Sequence, residues 1–198
     1  MEDTVNKLLG SYNQTYKPKK RDRRISAPSS FCNFTVGYFD GASQDHGERC
    51  KARGITVLSS SLKVYWKLNI GAGLNTKGEL VGLWALLFLA RYLGVTKFQV
   101  FGDSSVIIIW FEGAQNLNVL SLDFWKRRIR LLREYFDSVK ASHIFREFNV
   151  KADILSKLAL ASEENCLYWW SKKEEHLGDV QCFSLSNLEA LSKGLEGG

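Results

Sequence analysis

Apolar and polar positions change their period along this chain, and each change marks an element. "NFTVGYF", residues 33–39, reads as a strand, "RGITVLSSS" as a second and "LKVYWKLNI" as a third, joined by short polar turns that suit an antiparallel meander. In "TKGELVGLWALLFLARYLG" the period lengthens: Leu80, Leu83, Leu86, Leu87, Ala90 and Leu93 recur at helical spacing and Gly94 stands as a stop. A long, mostly buried helix follows from that. "KFQVFG" predicts a fourth strand, which "DSSVIIIWFEG" leaves at Asp103 as a helix with Ser and Asp at its start. In "SLDFWKRRIRLLREYFDS" the residues Leu122, Trp125, Ile129, Leu132 and Phe136 form one apolar stripe. "SHIFREF" alternates like a fifth strand, and "NVKADILSKLALAS" predicts a closing helix that opens near Asn149. Three hairpin-connected strands followed by strand and helix alternation imply an α/β fold: a five-stranded mixed sheet, three strands antiparallel and then two parallel, flanked by helices. Trp66, Trp84, Trp110 and Trp125 fall on apolar faces and belong to the expected core.

Composition sets the boundaries. A chain of 198 residues, 45% apolar and 13% aromatic, holds one domain with a full core and little more. Residues 1–30 read as a basic, flexible leader, residues 31–162 as the domain, and residues 163–198 as a C-terminal extension. In that extension "CLYWWSKKEEHLGDV" is too apolar for a free tail and is expected to fold back or to dock on a protein partner, while "SKGLEGG" reads as disordered. The leader's Lys17, Lys19, Lys20, Arg21, Arg23 and Arg24 fit an import signal, a phosphate-binding arm or a solvated linker equally.

The net charge of +6 and pI near 9.1 suit a polyanion, nucleic acid being the common one, although a solvated surface reaches the same value. Cys32, Cys50, Cys166 and Cys182 show neither zinc-finger spacing nor a disulfide framework, and so read as reduced thiols. No apolar stretch approaches the roughly 20 residues that span a bilayer. An intracellular protein of the nucleus or cytoplasm, with no membrane partner, is expected.

The carboxylates carry the chemistry. Asp40 falls at the expected end of the first strand, Glu79 in the opening turn of the long helix, Asp103 at the end of the fourth strand, and Asp153 about one turn into the last helix. If the first and fourth strands are neighbours, Asp40 and Asp103 emerge side by side, and helices packed on the sheet can bring Glu79 and Asp153 to the same place. Clustered carboxylates raise one another's pKa, so such a group makes sense chiefly around a divalent cation. Oxygen ligands favour Mg²⁺ or Mn²⁺, and two ions about 4 Å apart serve phosphoryl transfer.

These residues also carry a family resemblance. "YFDGAS", "NTKGELVGLWALL", "VFGDSSVII" and "HIFREFNVKADILSKLA" resemble, in order and spacing, the four motif blocks of type 1 ribonuclease H, and most closely the plant subgroup related to the ribonuclease H domains of retroelement reverse transcriptases. The resemblance implies a two-metal endonuclease that cuts the RNA strand of RNA/DNA hybrids and leaves 5′-phosphorylated RNA ends. It implies that Asp40, Glu79, Asp103 and Asp153 hold two Mg²⁺ ions, with Mn²⁺ as a substitute. It further implies a track that senses RNA 2′-hydroxyls along Gly41, Ala42 and Ser43 with Asn75 and Thr76. By the same match Ser104 and Ser105 lie near the substrate backbone and Asn149 beside the active site, although an N-cap role accounts for Ser104 or Asn149 as well. The basic helix, with Lys126, Arg127 and Arg130 among its cations, resembles the element that lies along the DNA strand; a solvated face is the alternative.

Three departures stand against the match. Where the family carries a glycine-rich stretch, this chain has "HGERCKARGITV", whose Lys51, Ala52 and Arg53 add bulk and charge that either strengthen phosphate contact or obstruct the track. Gly78 and Gly82 sit in the long helix where Ala would be better by about 1 kcal/mol each, read as local tolerance or drift. The segment "REFNVKAD" is short and lacks the His-bearing loop of other members, a departure shared with the plant subgroup, and neither His46 nor His143 takes a catalytic role. A retroelement-derived nucleic-acid or protein binding module with weak or no nuclease activity is therefore the second functional reading.

Overall fold

The computed structural model describes residues 35–144 and 163–185. The chain divides into Met1–Cys32 and Asn33–Gly198, and every described residue belongs to the second unit. The leader, the expected closing helix with Asn149 and Asp153, and the final "SKGLEGG" lie outside the described residues.

Those residues form eight strands and three α-helices around one sheet. The strands are β1 (Thr35–Gln44), β2 (Arg49–Val57), β3 (Leu62–Gly71), β4 (Lys97–Gly102), β5 (Ser138–His143), β6 (Cys166–Lys173), β7 (His176–Leu177) and β8 (Gln181–Ser184). The helices are α1 (Asn75–Tyr92), α2 (Ser105–Phe111) and α3 (Asp123–Glu134). The sheet order is β5-β4-β1-β2-β3-β6-β7, with β8 also on β6. β1, β2 and β3 form an antiparallel meander, while β4 is parallel to β1 and β5 to β4. The α/β class, the antiparallel meander and the parallel pair are thus as the sequence implies.

Three expectations need correction. The sheet has more than five strands, because "CLYWW" pairs antiparallel with β3 from Leu62↔Lys173 to Leu68↔Leu167, and β7 and β8 pair with it in turn. Its alternation sends Leu167 and Trp169 into the core, where Trp169 meets Tyr92 edge-on at 5.7 Å and stacks on Phe183 at 6.3 Å. The fifth strand begins at Ser138 rather than Ser142, since pairing with β4 from Lys97↔Ser138 to Gly102↔His143 overrides the weak local pattern of "SVKASH". Asp40 does not end β1. That strand runs on to Gln44, paired with β2 through Gln44↔Arg49; what ends beside Asp40 is the pairing with β4.

Helix α1 is the centre of the core. Leu80, Val81, Leu83, Trp84, Leu86, Leu87 and Leu89 are buried, and the helix lies across β1 and β2. Its two glycines have a packing reason. A Cβ on Gly78 would stand 3.1 Å from Cys50 Sγ and 3.2 Å from the Ala42 amide; one on Gly82 would stand 3.3 Å from Ala52 Cβ. At about 1.5–3 kcal/mol per buried leucine-sized side chain, close seating of the helix outweighs the roughly 1 kcal/mol of propensity lost at each glycine. Glycine here serves helix-to-sheet contact. The stripe of α3 also buries as expected, with Ile129, Leu132, Leu122 and Phe136 inside and Trp125 partly covered.

Candidate active site

The register of β1 and β4 positions two acids. Phe39↔Gly102 is the last pair between these strands, so Asp40 and Asp103 are the next residue on each, where the strands part. Glu79 arrives from α1, and the helix comes so close that a Cβ on Gly41 would fall 2.2 Å from the Glu79 amide nitrogen and 2.2 Å from the Gly78 carbonyl carbon. No residue but glycine fits at 41. As a result one carboxylate oxygen each from Asp40, Glu79 and Asp103 lies within 4.8 Å of the others.

Asp40 is 7% exposed and Glu79 and Asp103 are half-buried. Three hard oxygen donors this close fit a divalent cation of the Mg²⁺ or Mn²⁺ type and suit zinc poorly. Positive charge is already present, since Arg53, opposite Asp40 in the β1–β2 register, directs Nε and Nη2 to Asp40 Oδ2 at 2.9 and 2.7 Å. Sequence reasoning placed Arg53 beside the site without seeing this pair. The signal was the alternation of two adjacent strands, which puts directly opposed residues on one face.

Around the cluster, the Ser43 amide donates to Asn75 Oδ1 at 2.7 Å, tying the far end of β1 to the start of α1. Gly41, Ala42, Ser43, Asn75 and Thr76 therefore form one continuous border of the site. Removing that tie in Asn75→Ala should lower the unfolding free energy by about 1 kcal/mol, read from chemical denaturation. Cys50 lies beneath this border, and its burial pushes the thiol pKa up, opposed by Lys77 and reinforced by Glu79. Ser104 occupies the N-cap position of α2 but makes no capping hydrogen bond, and Ser105 is exposed beside it. His143 sits near the site through its ring nitrogen, 3.1 Å from the Asp103 carbonyl oxygen.

The cations of α3 divide by environment. Lys126 pairs with Asp123 and donates to the Leu117 carbonyl at 2.7 Å, which commits it inward. Arg128 lies over Phe124 at 5.0 Å and Trp84 at 5.4 Å, and Arg133 over Phe111 at 4.7 Å. Arg127 and Arg130 are exposed. Asn149 and Asp153, the remaining candidates, lie outside the described residues.

The reverse transcriptase-like family matches residues 39–159, a span that holds all four acids of the motif blocks. The chain belongs to the reverse transcriptase-like family. This reverse transcriptase-like chain is also similar in structure to RNase H1 of the halophilic archaeon Halobacterium salinarum, with 29% identity, 61% of this chain and 92% of that one covered, and a TM-score of 0.57. The N-terminal RNase H domain of a Mycobacterium tuberculosis protein, solved as a fusion with maltose binding protein, is 24% identical over 63% of this chain and 91% of its own, with a TM-score of 0.56. LC11-RNase H1, solved in complex with an RNA/DNA hybrid, shares the fold at 19% identity and a TM-score of 0.54, over 61% of this chain and 92% of its own. No curated protein matches the chain. The fold of this reverse transcriptase-like protein is that of ribonuclease H.

Proposed function

We propose that this protein is a divalent-metal-dependent endoribonuclease that hydrolyses the RNA strand of RNA/DNA hybrids. The observation that carries the reading is the convergence of Asp40, Glu79 and Asp103 within 4.8 Å, where β1 and β4 part. Asp153 is the fourth acid of the proposed set, and the four together would hold two Mg²⁺ ions, or Mn²⁺ in their place. Bound there, such ions supply charge neutralisation at the scissile phosphate and make water a stronger nucleophile.

The chain's own residues do the rest. Asp40 is held within a strand and Glu79 within a helix, and Asp103 directly follows β4, so the spacing of these three carboxylates is set before substrate arrives. Gly41 to Ser43, Asn75 and Thr76 border the cluster with backbone and amide groups of the kind that sense a 2′-hydroxyl, and this selects the RNA strand. Ser104, Ser105 and Asn149 contact the backbone near the cut, and the exposed Arg127 and Arg130 of α3, with Lys126 behind them, attract the DNA strand's phosphates in a salt-dependent way. The product is RNA with a 5′-phosphate. The hybrid seen with LC11-RNase H1 supports this choice of substrate by analogy of fold.

A binding module that cuts weakly or not at all is the second reading, favoured by the Arg53 guanidinium on Asp40. One assay decides between them: end-labelled RNA/DNA hybrid, single-stranded RNA, RNA duplex and DNA duplex are each incubated with the protein in Mg²⁺, Mn²⁺ or EDTA. Internal cleavage of RNA in the hybrid alone, abolished by EDTA, is the expected result. A hybrid that is bound yet stays intact in both metals establishes the binding module instead.

A further inference from the structure

The acid cluster carries a cation of its own. We propose that Arg53 is the resident counter-ion of the candidate metal site: it holds Asp40 in the metal-free protein, yields it when a divalent ion enters, and so sets how much free metal the site requires. The inference rests on the reading of Asp40, Glu79 and Asp103 as metal ligands.

The pair is built into the sheet. Asp40 and Arg53 are directly opposed in the antiparallel β1–β2 register, where side chains share a face and their Cβ atoms stand about 5 Å apart. Both guanidinium contacts, 2.9 Å from Nε and 2.7 Å from Nη2, fall on the single oxygen Oδ2. The Asp40 side chain is 10% exposed and that of Arg53 32%, so the interaction is screened far less than a surface pair. Arg53 has a like-charged residue on its other side. Lys67 opposes it across β3, and Lys51 lies close enough to Lys67 to help burial lower the basicity of that ammonium group.

Competition follows from the geometry. A divalent ion needs the anionic oxygens of Asp40, and a guanidinium already within 3 Å of Oδ2 would become its like-charged neighbour. Metal entry therefore weakens the ion pair by like-charge repulsion, even where the ion takes Oδ1, and the part of the pair's free energy that is lost is subtracted from metal affinity. In the metal-free protein the same pair offsets repulsion among three carboxylates. Arg53 is thus a positioning residue for Asp40, and it trades metal affinity for apo stability.

The test is Mn²⁺ binding by isothermal titration calorimetry on the full chain without nucleic acid, beside melting temperature in EDTA. Wild type, Arg53→Gln, Arg53→Lys and Asp40→Asn are compared. Arg53→Gln should bind Mn²⁺ about five- to tenfold more tightly than wild type, melt lower in EDTA, and gain more on adding Mn²⁺. Arg53→Lys, which keeps the charge but not the fork, should fall between the two. Equal or weaker Mn²⁺ binding by Arg53→Gln, while Asp40→Asn binds less than wild type, overturns the role of Arg53 and leaves the metal site standing. Mn²⁺ binding by Asp40→Asn equal to that of wild type overturns both. Should Arg53→Gln fail to fold in EDTA, wild-type affinity in Arg53→Lys overturns the proposal just as well.

Discussion

Asp103→Asn should lower hybrid cleavage by about a thousandfold or more and at the same time raise, or leave unchanged, the melting temperature in EDTA. A loss of that size corresponds to about 4 kcal/mol of transition-state stabilisation, within what charge neutralisation by bound cations supplies. The opposite sign of the stability effect comes from the cluster itself. Removing one of three carboxylates within 4.8 Å relieves repulsion in the metal-free state and leaves the Arg53–Asp40 pair intact. Asp40→Asn makes a useful contrast, because it also removes the charge that Arg53 pairs with at this position and forfeits the gain. Steady-state kinetics and thermal denaturation in EDTA check both halves. Unchanged cleavage in Asp103→Asn rules out the cluster as the catalytic centre.

Gly41→Ala should be the most damaging conservative change on the border of the site. Its methyl group would meet the Glu79 nitrogen and the Gly78 carbonyl carbon at 2.2 Å, and the Gly78 oxygen at 2.6 Å. These are backbone atoms of a buried helix and cannot step aside as a flexible side chain can. The helix must lift or the strand must bend, at a cost of about 2–4 kcal/mol, or roughly 10 °C in a domain of this size. Either movement carries Glu79 away from Asp40, so metal binding should weaken with stability. Gly82→Ala is the matched control: its closest contacts are 3.3–3.5 Å, and about 1 kcal/mol of helix propensity returns. Near-wild-type melting in Gly82→Ala and a large drop in Gly41→Ala separate close approach from propensity. Equal melting for both would remove the packing argument.

Much of this was legible from residue order. The long helix, the apolar stripe from Leu122 to Phe136 and the parallel β1–β4 pair follow from periodicity and from turn spacing. The proximity of Asp40 and Asp103 followed once two strands were supposed adjacent. What escaped was set by tertiary pairing. The strand at Ser138 has little pattern of its own and exists because β4 offers it an edge. The aromatic run after Cys166 announced burial but not its partner, since a sequence gives no sign of which strand edge stands open. Gly78 and Gly82 looked like defects for a related reason: propensity is local, while the sheet that approaches them is built from residues some thirty positions earlier. In residue order Arg53 is bulk and charge beside a groove, and only the antiparallel register shows that it faces an acid.

The strands after Cys166 decide which strand edge the sheet leaves open. Among the described residues, β3 would be the outer strand of the sheet without them, ten residues long and carrying Val64, Tyr65, Trp66 and Leu68, a flat apolar margin of the kind that recruits strands from other molecules. β6 caps that margin, and the outermost positions pass to β7 and β8, two and four residues long, with Lys172 and Lys173 beside the first. Short strands make poor templates for a neighbour. By folding back onto β3, the segment leaves that side of the sheet, among the described residues, without a long apolar edge.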